Sequence, residues 1–158
     1  MDAPSKQLLI ISRDTLLEAE RAPLGPRIFR LVASISRRGI HVLLTAPEPD
    51  HWIPTRGRVD KALADQGRLQ QALHEAGGNL DGVYYVPKSL FTQDRNREGA
   101  LQDIINRYEL PIESALLVSA SEPFLRAAER LALEIREIPP GPEGVAVLLE
   151  ALTSLLEE

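Results

Sequence analysis

The stretch "LLIISRDTLL", Leu8 to Leu17, sets the reading of the whole chain. An aliphatic run stops at Ser12, and the polar cluster Ser12-Arg13-Asp14-Thr15 follows at once. A continuous apolar run of this kind suits a parallel strand buried on both faces, because a strand with one wet face would alternate. The polar cluster then marks where such a strand opens onto a site.

Outward from this point, strand-like and helix-like segments alternate. "QLLII" (Gln7 to Ile11) reads as the first strand. "GPRIFRLVASISRRG" places Ile28, Leu31, Val32 and Ile35 at helical spacing, with Pro26 near the start and Gly39 at the close. "IHVLL" (Ile40 to Leu44) is the second strand, and "EPDHWIPTRGR" is a loop interrupted by Pro49 and Pro54. "VDKALADQGRLQQALHEAGG" is a second helix ended by Gly77 and Gly78, with a break expected at Gly67. "GVYYV" (Gly82 to Val86) is the third strand, and "PKSLFTQDRNRE" a polar loop. "GALQDIINRYEL" is helical, with Leu101, Ile104, Ile105 and Tyr108 on one side. "ALLV" (Ala115 to Val118), the helix "EPFLRAAERLA", an edge strand "EIREI" and the terminal helix "VAVLLEALTSLLEE" complete the order.

This alternation, with short connections, predicts an α/β fold: a three-layer α/β/α Rossmannoid sandwich with a mainly parallel central sheet. With no internal repeat and no long linker, residues 1–158 read as a single domain. Ligands of such sheets sit at the carboxyl ends of the strands. The segments to inspect are Ser12 to Thr15, Thr45 to Pro49, Lys88 to Glu98 and Ser119 to Glu122.

Composition narrows the function classes. A net charge of -5 argues against a general nucleic-acid binder. The chain has no cysteine, which excludes disulfides and cysteine-held zinc and makes a cytoplasmic protein the simplest expectation. "MDAPSKQ" does not read as a signal peptide, and no apolar stretch approaches the roughly 20 residues of a membrane helix.

At the strand ends the chain resembles a known family. "IISRDTLL" stands where phosphatases of the haloacid dehalogenase (HAD) type have a strand ending in D-R-D-G. "RRGIHVLLTAPEP" is similar to their helix-G-strand-T-N segment, and "LHEAGGNLDGVYYVP" to the stretch before their third strand. "REGALQDIINRYELPIESALLVSASEPFLRAAERLAL" resembles the segment K-P-G-M, helix, strand, V-G-D, helix. The likeness covers nearly the whole chain, and within the superfamily the chain most resembles the capless heptose bisphosphate and histidinol phosphate phosphatases.

The resemblance implies roles, position by position. Where the family has the aspartate that attacks the phosphoryl group, this chain has Ser12. Asp14 matches the general acid and base, and Thr45 the hydroxyl that orients phosphoryl oxygens. The loop that carries the family's charge-neutralising lysine reads Asp94-Arg95-Asn96-Arg97-Glu98, leaving Arg95 and Arg97. The acid that holds Mg²⁺ after the fourth strand is replaced by Ala120 within Ser119-Ala120-Ser121. Phe124 stands where a further acid is sometimes found, and the zinc-binding loop of some relatives has no counterpart. Mg²⁺ needs anionic oxygen ligands, and two of the family's carboxylates are missing together. Loss of a nucleophile from a concerted site can cost on the order of 10⁶ in rate.

Each residue also has a plainer reading. Ser12 would need a base to act as a nucleophile. His41 falls in a strand and His74 on a helix, while His51 follows the second strand; nothing in the spacing demands a Ser12–His51 pair. Asp14 and Thr15 suit a cap or turn, Thr45 an ordinary strand-end hydroxyl, and Arg95 and Arg97 solvated charges. Gly77 and Gly78 lack the spacing of a phosphate loop and suit a helix C-cap. Tyr84 and Tyr85 point to opposite faces of a strand, and Trp52 reads first as a buried loop anchor.

The expectation is a HAD-like domain with a degenerate site, without catalytic activity and without a bound metal. It would bind phosphate or a small phosphorylated molecule through Arg13, Thr45, Arg95, Arg97 and Ser121, or engage a protein partner, but not nucleic acid or a membrane. The alternative is an active hydrolase of a small sugar phosphate or phosphorylated alcohol.

Overall fold

The computed structural model describes residues 6–47, 56–86 and 93–157. The first strand, β1 (Leu8–Ser12), is aliphatic up to its last residue, and its first four side chains are fully buried. It lies at the centre of a five-stranded sheet. The others are β2 (His41–Pro47), β3 (Gly82–Val86), β4 (Ala115–Ser119) and β5 (Glu134–Glu137), in the spatial order β3-β2-β1-β4-β5. All four pairings are parallel. The chain runs outward from β1 to β3 and then returns to β4, so the strand order reverses between β1 and β4. This is where a crevice opens at the carboxyl edge of such sheets.

Two apolar clusters cover the sheet, one on each face. Leu9, Ile11, Val42 and Leu44 pack against α1 (Arg13–Glu20), α2 (Gly25–Arg37), α3 (Arg56–Glu75) and α6 (Pro142–Glu157). Leu8, Ile10 and Leu117 face α4 (Gln93–Tyr108) and α5 (Glu122–Arg130). Alternation along buried strands thus feeds both faces, which gives the expected three layers. No cap insertion interrupts the order of elements among the described residues.

Several expectations shift. Helix α1 begins directly after Ser12, where Asp14 and Thr15 were read as a cap or turn; Thr15, Leu16, Leu17 and Ala19 form its buried face. Strand β2 continues through Thr45 to Pro47, because β3 pairs along that whole length. Helix α3 passes through Gly67 without a break. Helix α4 starts at Gln93, so Arg95 and Arg97 belong to its first turns and not to a loop. His51 and Trp52 lie outside the described residues, as does the side chain of Arg95. The Gly77-Gly78 pair does end α3, with Gly77 at φ 88° and the Gly78 amide donating to Leu73 O at 2.8 Å. A Cβ on Gly78 would fall 2.4 Å from Ala33 Cα, so this glycine also lets α2 approach.

Candidate functional site

The parallel register sets the site. Ser12 pairs with Thr45 across β1 and β2, and Ile11 pairs with Val118 across β1 and β4, which brings Ser12 abreast of Ser119. Thr45, Ser12 and Ser119 therefore stand in one row over three adjacent strands. The Ser12 and Ser119 hydroxyls are 2.7 Å apart and hydrogen-bonded. Ser119 Oγ also accepts the Ser121 amide at 3.0 Å. Ser119 is fully buried and Thr45 nearly so.

Ser12 and Thr45 of this row line a cavity of about 520 Å³. Its strand-end wall contains Ser12, Asp14, Thr15, Thr45, Ala120 and Ser121. Glu18 of α1 and Arg97 of α4 add charge. Phe124, Ile138, Pro139, Val145 and Leu148 supply an apolar wall on another side. Of the expected residues, Ser12, Asp14, Thr45, Arg97, Ala120 and Ser121 thus meet around one space. Arg13 is not in its wall: its guanidinium lies 3.4 Å from Asp14 Oδ1, and its buried Nε has no hydrogen-bond partner among the described residues. Glu98 pairs with Arg130 and Glu122 with Arg126, and neither glutamate lines the cavity.

The helix ends at the cavity differ in what they offer. Ser12 is the N-cap residue of α1 but makes no side-chain capping bond, its hydroxyl being engaged with Ser119. The first-turn N–H groups of α1 consequently have no side-chain cap. Helix α5 offers few free donors at its start, because the Ser121 amide is taken by Ser119 and Pro123 has no N–H. Thr15 is buried in the wall, and its hydroxyl has no partner among the described residues. Farther along the row, Tyr84 donates to Asp103 at 2.6 Å. Burial, then the Asp103 bond, raises the Tyr84 pKa, while the same bond holds Asp103 below the usual carboxylate range.

Sequence reading assigned Ser119 no role, although "LLIIS" and "ALLVS" end alike, each with a serine after an aliphatic run. It also missed the wall from Ile138 to Leu148. That wall is brought to the site by the Ile138 amide, which donates to Ser119 O at 2.9 Å.

The positions that the family resemblance matches to a metal's carboxylates hold Ser12 and Ala120, and the Ser12 hydroxyl is already paired. No group of three His, Asp or Glu able to hold a metal gathers among the described residues. No helix among them is long and apolar enough to cross a membrane.

The parallel sheet, its flanking helices and the switch-point crevice define an α/β Rossmann-like fold. No protein-family model matches the sequence, and no curated protein matches it either. Solved structures do match in fold. D,D-heptose 1.7-bisphosphate phosphatase from B. bronchiseptica, solved with magnesium and phosphate, superposes with a TM-score of 0.71 at 18% identity. The match covers 96% of this chain and 99% of that one. An uncharacterized protein from Corynebacterium glutamicum matches with a TM-score of 0.58 at 16% identity, over 94% of this chain and 96% of its own. A hypothetical protein from Xanthomonas campestris gives 0.51 at 13%, over 96% and 85%. At these identities the likeness is one of fold.

Proposed function

We propose that this chain, acting as one domain over residues 1–158, binds a small phosphorylated molecule at the carboxyl edge of its sheet and does not hydrolyse it. The observation that carries this reading is the Ser12–Ser119 bond. A serine nucleophile needs a base within hydrogen-bond reach, and the Ser12 hydroxyl is instead engaged with a second hydroxyl. The missing carboxylates at Ser12 and Ala120 support the same conclusion. The phosphate bound by the B. bronchiseptica phosphatase supports the ligand class.

The anion would be met by uncapped N–H groups of α1 and by the Thr15, Thr45 and Ser121 hydroxyls. Asp14 and Glu18 offset Arg97 in the wall, so binding depends on directed hydrogen bonds more than on surplus positive charge. Added salt should therefore change the affinity little. Calorimetric titration with inorganic phosphate and sugar phosphates in EDTA tests the reading. Heat of binding with no release of phosphate supports it. Mg²⁺-dependent hydrolysis lost in Asp14→Asn would establish the active phosphatase instead, and absence of any binding would favour a protein-interaction module.

A further inference from the structure

We infer that the ligand is a phosphate ester with a compact hydrocarbon body, not a sugar phosphate; this rests on the phosphate reading above. The cavity has two unlike sides. Hydroxyls and N–H groups collect at the strand ends, around Ser12, Thr15 and Thr45. The other side presents carbon: Phe124 of α5, Ile138 and Pro139 after β5, and Val145 and Leu148 of α6. A polyol against that surface would give up hydrogen bonds to water without replacement, at a cost of about 1–3 kcal/mol for each group left unpaired. A hydrocarbon gains there by leaving water.

The apolar side is also held in place. The Ile138 amide is tied to Ser119 O, so this wall is fixed to the end of β4 beside the hydroxyl row. Between Pro139 and α6 the chain turns tightly: Gly141 has φ 87°, and the Gly144 amide donates to Gly141 O at 3.0 Å. Consecutive prolines, Pro139 and Pro140, restrict the backbone further. A wall formed before binding loses little freedom when a ligand arrives. The volume, about 520 Å³, lies within the range of small-molecule sites.

The test is a homologous series in EDTA: inorganic phosphate, then methyl, propyl and pentyl phosphate, with glucose 6-phosphate and 1-pentanol as controls. Affinities come from calorimetry, and contacts from amide and methyl resonance shifts. Affinity should rise about three- to fourfold per methylene until the body fills the cavity. Glucose 6-phosphate should bind no tighter than methyl phosphate. Resonances of Phe124, Val145 and Leu148 should move with pentyl phosphate and stay put with inorganic phosphate. Val145→Thr places a hydroxyl on the apolar wall and should lower the ratio of pentyl phosphate to inorganic phosphate affinity severalfold, with the fold checked by circular dichroism. If phosphate binds but affinity stays flat along the series, this inference falls and the phosphate site stands. If 1-pentanol binds as tightly as pentyl phosphate, the phosphate reading fails and takes the proposed ester with it. If nothing in the series binds, both are overturned.

Discussion

The hydroxyl of Ser12, last residue of the central strand, is hydrogen-bonded to the hydroxyl of Ser119, last residue of the neighbouring strand, at 2.7 Å. The bond spans the point where the strand order reverses, and it engages the very group that would have to attack a phosphoryl centre. Its energetics follow from what each partner keeps when the other is removed. Ser12→Ala leaves Ser119 Oγ with the Ser121 amide, so the loss should be about 1 kcal/mol, or roughly 2–4 °C in Tm. Ser119→Ala breaks both bonds and should cost more, about 1–3 kcal/mol. Denaturant unfolding of the two single variants and the double variant measures the coupling; strictly additive losses would show that the serines do not stabilise each other.

Catalysis should be absent. Purified protein given Mg²⁺ and a panel of sugar phosphates is expected to release no phosphate above background. Ser12→Asp with Ala120→Asp should create Mg²⁺ affinity, detected calorimetrically, by placing carboxylates at the two positions that the family resemblance matches to metal ligands. Turnover that co-purifies with the parent protein and vanishes in Ser12→Ala would refute the non-catalytic reading.

Three glycines should respond to alanine in opposite ways. At Gly144 a Cβ would lie 2.0 Å from Pro139 O, and at Gly78 it would lie 2.4 Å from Ala33 Cα; backbone must move in both cases. Each substitution should destabilise by about 2 kcal/mol or more. Gly67 lies inside α3 with nothing within 4 Å of its would-be Cβ. Gly67→Ala should stabilise by about 0.5–1 kcal/mol through helix propensity. Thermal melts of the three variants give the signs directly.

Alkaline pH should weaken the fold. Burial, followed by the hydrogen bond to Asp81, pushes the Tyr108 pKa well above its ordinary value, and Tyr84 is raised by burial and Asp103. A raised folded pKa means that the folded chain keeps its phenol protons more tightly than the unfolded chain. That contribution is complete below about pH 10 and is lost as pH climbs from there through the folded values. Absorbance titration should show these two phenols ionising late. The fall in urea midpoint above pH 10 should be smaller in Tyr108→Phe; an equal fall would separate the alkaline loss from Tyr108.

Much of the fold was legible because buried parallel strands announce themselves. "LLII" and "ALLV" have no polar residue to place in water, and Pro26 and Gly39 bracket α2 by their backbone preferences. Helix α1 was hidden for the opposite reason. Ser12 and Asp14 favour caps and turns, and the helix is settled by tertiary burial of Leu16, Leu17 and Ala19. Arg97 was read in a loop because "QDRNRE" lacks apolar periodicity, yet those residues begin α4, whose first buried side chains among the described residues are Ala100 and Leu101. The apolar wall could not be read locally. "IPPGPEG" has no periodicity to read, and the segment is brought to the site by the Ile138 bond to Ser119 and by core packing of Ile138, Val145 and Leu148.

The separation of 107 positions between Ser12 and Ser119 also bears on how the protein is made. As the chain leaves the ribosome, β1 can find β2 early, since Leu8 pairs with His41. Its other edge must wait until Ala115 to Val118 have been synthesised. During that interval a strand of four consecutive aliphatic residues carries open backbone donors and acceptors along one side, ready to accept a strand from another nascent chain. Contacts so distant in sequence also close slowly. Chains cut short before β4 should therefore aggregate, and the need for chaperones should peak while the central strand is still missing its second neighbour.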